Sequence, residues 1–391
     1  MTTPFSFSFA GDDIDEDEKL SLGKSSSTAE RLPTTPQQQA PTSSSASAFP
    51  VQGKPLLPPL HHDLSHMLST LPSKIAYSTL SIDLEGDRGT IQIPRRELWD
   101  VRVQLMAEEE SSENVSESQP GLGEHDVKTG IYEGGFKSWE SSVDLVKVLA
   151  AENVQQILDR DPCSLIELGC GTALPSLALF QWAMAARKKR AAGLGEMESS
   201  PLVLTLADYN PSVLYLVTLP NFVLAWALEK RAEIAILEEA FTVCEGELEL
   251  TADVLSAFTE FLLSSQITLS FLSGAWSPEF VELLYSSSSL TASPAEATHN
   301  TKTLVIGAET IYSPFALESF TATLLSILER ERRDRSSGYA TAIIAAKRLY
   351  FGVGGSLDDF VDKMRALGAF VHTLREETDG VRRGVVKCLL S

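Results

Sequence analysis

The sequence predicts an α/β open sheet with helices on both faces, and three observations predict it. From Gly130 onward, short apolar runs alternate with longer helical patterns. Several of the runs are apolar throughout, as parallel strands covered on both faces are. Two of them end at a carboxylate or a glycine turn that leads into a helix, the place where open α/β sheets hold ligands.

Residues 1–60 are rich in Ser, Thr, Pro and Gln, with an acidic run from Asp12 to Glu18. Such a segment buries too little apolar surface to offset chain entropy and is expected to be disordered. Residues 61–129 form an N-terminal extension. Its β-type runs lie between Ile75 and Val103, "IQI" first and "VRVQL" at the end, and an acidic, Ser-rich linker follows from Glu108 to Asp126.

Residues 130–391 carry the strand–helix alternation. The strands are "SLIELG" from Ser164, "LVLTLAD" from Leu202, "ITLSFLSG" from Ile267, "TLVIGAE" from Thr303 and "TAIIAAK" from Thr341. Helices are expected at Leu174–Arg190, Val213–Lys230, Ala252–Ser265, Pro314–Arg332 and Leu357–Leu367. The tail reads as a hairpin, "FVHTLREE" and "GVVKCLL" around "TDG", so the last strand is expected to be antiparallel. Three insertions interrupt the pattern: Lys188–Ser200, Glu233–Leu250 (acidic, partly helical) and Ser286–Asn300.

Bulk properties narrow the function. A net charge of -21 disfavours non-specific nucleic-acid binding and favours a basic partner. The four cysteines form no C-x-x-C pair, so a zinc ribbon or thioredoxin-type site is not suggested and a reducing compartment is. The six histidines lack zinc-helix spacing, and His61, His62 and His66 read as solvated. No metal site is expected. The apolar stretch Val213–Leu228 is interrupted by Pro220 and Asn221, which argues against a membrane span. A monomer in the cytoplasm, the nucleus or both is expected.

The chemistry-bearing residues sit at strand ends. "IELGCGTALPSL" places Glu167 near the end of a strand, then Gly169 and Gly171 before a helix; glycine lets a ligand approach the backbone. By itself, E-x-G-x-G fits any tight strand–helix turn. Asp208, followed by Tyr209 and Asn210, can accept hydrogen bonds from two ribose hydroxyls, or it can cap the helix near Pro211. Trp139, in "GGFKSWESS", and Trp276, in "SGAWS", can cover a cationic or heteroaromatic ligand; a core role competes for Trp139. Glu309, with Tyr312 after it, stands at the end of the fourth strand, where it can face a reacting group or cap the helix after Pro314. No G-x-S-x-G elbow or P-loop lysine is present.

Together, "GGFKSWESSVDLV", "IELGCGTALPSLAL", "ADYNPSVLYLVTLPN", "SGAWS", "GAETIYSP" and "AAKRLYFGVGGSLDDFV" resemble the histidine protein methyltransferases of the seven-β-strand class. The resemblance covers about two-thirds of the chain, from Gly130 to the C-terminus. It implies a Rossmann-like seven-stranded sheet with a reversed last strand, and S-adenosylmethionine (SAM) as cofactor. The implied substrate is a histidine of the L-three protein of the large ribosomal subunit. By motif, SAM contacts are expected from Ser138, Trp139, Glu140, Ser141, Gly169 and Gly171. Asp208, Tyr209, Asn210, Gly274, Ala275, Trp276 and Ala308 complete the expected set. The insertions near Lys188, Glu233 and Ser286 depart from the family pattern.

Histidine needs no strong base to accept a methyl group, since its reference pKa of about 6.5 leaves most of it neutral at pH 7. A carboxylate receiving the far ring N–H would choose the reacting nitrogen; Glu309, or else Tyr312, is expected there. Two alternatives stand beside this reading: a protein-lysine methyltransferase of the same fold, and a non-catalytic SAM-binding escort of a basic ribosomal protein.

Overall fold

A computed structural model describes residues 50, 53, 55–111, 135–192, 200–241, 246–287, 301–334, 340–352 and 354–390. The tail through residue 49, the linker after Ser111, and most of the Lys188–Ser200 and Ser286–Asn300 insertions lie outside the described residues.

Eleven strands form among them: β1 Leu60–His62, β2 Lys74–Asp83, β3 Thr90–Arg96, β4 Cys163–Leu168, β5 Leu202–Asp208, β6 Glu247–Glu249, β7 Ile267–Ser273, β8 Lys302–Ala308, β9 Ala340–Lys347, β10 Ala369–Glu377 and β11 Arg383–Leu390. The main sheet has the order β1-β7-β5-β4-β8-β9-β11-β10. Pairing is parallel from β7 through β9, and β11 enters antiparallel between β9 and β10. The "TDG" turn permits that reversal, with Gly380 at φ +70°. The expected α/β open sheet with a reversed last strand is therefore present, with one addition. Strand β1 pairs antiparallel with β7 and makes the sheet eight-stranded.

Burial explains the uninterrupted apolar runs. All six residues of β4 are buried. Alternate residues serve opposite faces. Leu165, Leu204, Leu269 and Ile306 join one core with helices Glu140–Ala151, Leu174–Ala192, Leu219–Lys230 and Ala252–Ser264. Ile166, Leu168, Leu272 and Val305 join the other with helices Pro278–Ser287, Pro314–Asp334 and Leu357–Ala366.

The extension corrects one expectation. "VRVQL" is not a strand: it belongs to the helix Leu98–Ser111. Leu98, Val101 and Leu105 recur at helical spacing and pack against Phe136, Val213 and Val217, and this packing overrides the two-residue alternation. Strands β2 and β3 form a hairpin, and β6, inside the Glu233–Leu250 insertion, completes a three-stranded sheet with them.

Helix Pro211–Val213 continues through a wide π turn, Leu214–Thr218, into Leu219–Lys230. Pro220 has no N–H to give to the carbonyl of Leu216. That carbonyl instead accepts from Arg96 Nη1 at 2.9 Å. The segment Pro211–Lys230 is long and apolar enough to cross a membrane, but 83% of its apolar window is buried inside the protein, as a core helix would be.

Candidate active site

The carboxyl ends of β4, β5 and β8 open into a cavity of about 1000 Å³, counting its open mouth. Its floor is the turn after β4. Gly169 and Gly171 have φ of +70° and +52°. A Cβ on Gly169 would stand 2.6 Å from Thr310 Cγ2, and one on Gly171 would stand 3.0 Å from the carbonyl of Gly135. Both positions therefore exclude side chains by contact as well as by conformation.

Two buried side chains hold this turn from behind. Thr218 Oγ1 donates to the carbonyl of Gly171 at 2.7 Å, and Asn221 Nδ2 donates to that of Thr172 at 3.0 Å. Asn221 Oδ1 also accepts the N–H of Arg96 at 2.7 Å, which ties the extension to the glycine turn. This gives "VTLPN" a physical role that spacing alone did not reveal.

Asp208 ends β5 facing the turn. Its Oδ2 accepts the N–H of Gly171 at 3.0 Å and its Oδ1 that of Asn210 at 3.1 Å. Burial raises its pKa to about 6 against these backbone hydrogen bonds. It is not the helix cap; Asn210 caps Pro211–Val213 through the N–H of Ser212. Beneath it, Glu167 accepts from Ser176 N at 3.2 Å and from Ser176 Oγ. Burial pushes Glu167 up to about 8, and the nearby Asp208 adds to the shift.

The chain just before β1 forms one wall. Leu57 donates its N–H to Tyr209 Oη at 3.0 Å and accepts the N–H of Ala275 at 2.9 Å. Gly274 backs onto this strap, where a Cβ would lie 2.3 Å from the carbonyl of Pro58. His62 is buried, not solvated as expected. It bonds Ser273 Oγ at 2.8 Å and Tyr215 Oη at 3.2 Å, and burial lowers its pKa to about 4.

The opposite edge carries Glu309. It is a non-glycine residue at φ +60°, a conformation that costs about 1–3 kcal/mol and persists only where its surroundings impose it. Its carboxylate accepts from Ser141 Oγ and, at 2.6 Å, from Tyr350 Oη. Burial raises its pKa despite these bonds and the nearby Lys347 and Arg383. It does not cap the following helix; Ser313 Oγ accepts the N–H of Ala316 there. Lys347 lies over the ring of Trp139 at 5.1 Å. Trp139 is 40% exposed, so it is not a core residue.

Of the residues expected at the site, Trp139, Gly169, Gly171, Asp208, Tyr209 and Asn210 line the cavity, as do Ala275, Trp276, Ala308, Glu309 and Tyr312. Four lie outside that lining. Ser138 bonds Thr172 Oγ1, and Glu140 pairs with Arg383. Ser141 is buried behind Glu309, and Gly274 faces the strap. The family motif implies Glu140 as a SAM contact, but it opens a helix whose turn carries it toward β11. Sequence reasoning missed Leu56, Thr172 and Thr310 on the lining, and Tyr350 behind Glu309. Only "KRLYFGVGGS" hinted at the last.

The lining suits a nucleoside-bearing ligand. It offers a glycine floor, a carboxylate at the end of the second parallel strand, and apolar walls from Tyr209, Ala275 and Trp276. Among the described residues, Trp276 Nε1 and Thr310 Oγ1 are buried without a hydrogen-bond partner, leaving two groups for a ligand to satisfy. A Rossmann-like sheet with the reversed strand and this strand-end site defines a SAM-dependent methyltransferase.

Comparison with known proteins narrows the class. Histidine protein methyltransferase 1 of Saccharomyces cerevisiae is 34% identical over 98% of this chain and 97% of that protein. The Schizosaccharomyces pombe protein of the same name is 31% identical over 83% of each. The chain belongs to the histidine protein methyltransferase family: it is a SAM-dependent protein-histidine methyltransferase. No family model matches it. Among solved structures, an rRNA methyltransferase of Streptomyces viridochromogenes is 12% identical over 66% of this chain and 90% of that one, with a TM-score of 0.33.

Proposed function

We propose that this enzyme methylates one ring nitrogen of a histidine in a basic protein of the large ribosomal subunit, the L-three protein, met in the cytoplasm or nucleus. The observation that carries the acceptor side is Glu309, a half-buried carboxylate on the cavity lining held by Ser141 and Tyr350.

Gly169, Gly171, Asp208 and Trp276 would hold SAM, with Asp208 receiving the ribose hydroxyls. Bound SAM supplies an electrophilic methyl group on a sulfonium that leaves as a neutral thioether. The acceptor's unprotonated ring nitrogen would offer its lone pair to that methyl group. The far ring N–H points at Glu309, which selects the nucleophilic nitrogen and stabilises the imidazolium as it forms. That N–H proton then leaves for Glu309 or water, and neutral methylhistidine remains. A cavity that holds both SAM and acceptor would supply much of the rate by positioning.

Lys347 favours histidine over lysine as acceptor. Its cation stands beside Trp139 and close enough to act on Glu309. It would repel an incoming ammonium and leave a neutral imidazole unopposed. The net charge of -21 supports a basic client.

The test is mass spectrometry of large-subunit ribosomal proteins from cells with and without the gene. Loss of one methyl group from a histidine of the L-three protein, restored by wild type but not by Asp208→Ala, is expected. An unchanged histidine there, with methyl loss on a histidine of another protein, would overturn the substrate and leave the activity.

A further inference from the structure

We infer that Tyr350 is a positioning residue for methyl transfer: its phenol holds Glu309 Oε2 so that the carboxylate meets the acceptor's ring N–H. The inference rests on the reading of Glu309 given above and adds a second group to it.

The geometry commits the phenol to this task. Tyr350 is buried, and its Oη donates to Glu309 at 2.6 Å while accepting the N–H of Lys347 at 3.4 Å. With its acceptor side occupied by a backbone amide, its proton is directed to the carboxylate. Burial and the adjacent Glu309 push the phenol's pKa well above its ordinary value, so it keeps that proton. Ser141 Oγ takes the other carboxylate oxygen, and the pair of donors fixes the carboxylate plane.

The loop is built to hold the ring in place. Tyr350 N donates to the carbonyl of Gly355 at 3.0 Å, and Gly355 N donates to that of Tyr312 at 3.2 Å. A Cβ on Gly355 would lie 2.1 Å from the carbonyl of Ile311. The segment around Gly355 therefore lies flat on 311–313, directly after Glu309, and its glycine is what allows that approach.

The charged groups facing Glu309 are Lys347 at the end of β9 and Arg383 on β11. Arg383 is itself paired with Glu140 at 2.8 Å and Asp144 at 2.6 Å, from the helix that also supplies Ser141. These cations and the two hydrogen bonds favour the ionised carboxylate; burial opposes it. Removing the Tyr350 hydroxyl strips one stabilising contact from the anion. Glu309 then protonates at higher pH, and the acid limb of the rate profile moves up.

The experiment uses the full chain, SAM, and large-subunit ribosomal proteins isolated from cells lacking the gene, with methylhistidine counted after hydrolysis. Tyr350→Phe should lower kcat about tenfold and raise the acid limb by about one pH unit, the worth of one charge-assisted hydrogen bond. S-adenosylhomocysteine affinity should stay within about twofold, since the phenol is not on the cavity lining. Added to Glu309→Gln, the substitution should cost nothing more, because both act through one group. A fluorotyrosine at position 350 keeps the packing and donates more strongly, so it should move the limb the other way. If Tyr350→Phe changes neither kcat nor the limb while Glu309→Gln is inactive, the inference falls and the reading of Glu309 survives. If Glu309→Gln is fully active, that reading fails first.

Discussion

Two half-buried carboxylates line the cavity, and they are held in different ways. Asp208 is gripped by backbone N–H groups, one from Gly171 across the turn and one from Asn210, two residues along its own chain. Glu309 is gripped by side chains, Ser141 and Tyr350, from 168 and 41 residues away in sequence. Backbone donors cannot be exchanged by substitution, so the Asp208 end is a rigid receptacle suited to a ligand that never changes. Side-chain donors can be exchanged, so the Glu309 end is where acceptor chemistry can be tuned. On the proposed function, affinity for SAM would reside on the Asp208 side and choice of acceptor atom on the Glu309 side.

The most severe break in that comparison is Asp208→Ala. Loss of two charge-assisted hydrogen bonds to the ribose should weaken S-adenosylhomocysteine about 100-fold or more by calorimetry. Glu309→Gln should do the reverse, lowering turnover about 100-fold while leaving that affinity within about threefold. Equal losses in both quantities would erase the distinction and move Glu309 to the cofactor side.

Proton linkage sharpens it further. Burial holds Asp208 at about 6, so the carboxylate proposed to receive the ribose is increasingly protonated below that pH. S-adenosylhomocysteine affinity should hold steady above about pH 7 and fall about tenfold per unit once well below pH 6. A flat profile between pH 7 and 4.5 would show that a neutral Asp208 binds equally well.

Glu167 offers a stability test on the same side. Its pKa rises from 4.5 to about 8 on folding, so the native state binds more protons than the unfolded chain between those values. Stability from this group is therefore lost as pH rises through that window. Glu167→Gln keeps the Ser176 contact without the buried charge. In urea melts it should match wild type near pH 5 and exceed it at pH 9. The smallest effect is expected for Tyr209→Phe, which frees the N–H of Leu57 and should weaken cofactor binding about fivefold by loosening the strap.

The sheet and the cofactor side were legible because their signals are local. Strand β4, buried at every position, reads as an unbroken apolar run, and Gly169, Gly171 and Asp208 announce themselves within single strand–turn units. Tyr209, Trp276 and Glu309 were legible as residues at strand ends, but their partners were not. Nothing near Leu57 indicates that Tyr209 receives its N–H across 152 residues, and nothing near Tyr350 points to Glu309. The helix Leu98–Ser111 escaped for the same reason: its short apolar pattern fits either period, and only Phe136, Val213 and Val217 decide between them.

By itself, then, the amino-acid order determined the alternation of strands and helices, the reversal at the end of the sheet and the carboxylate–glycine receptacle. Each follows from periodicity and backbone conformation over a few adjacent residues. Tertiary structure alone decided that the strap before β1 walls the cavity, that Glu140 turns away to Arg383, and that Ser141 and Tyr350 converge on Glu309. Those contacts join segments that share no local pattern, and they form only when two layers of helices close over one sheet and bring distant side chains to the same strand ends.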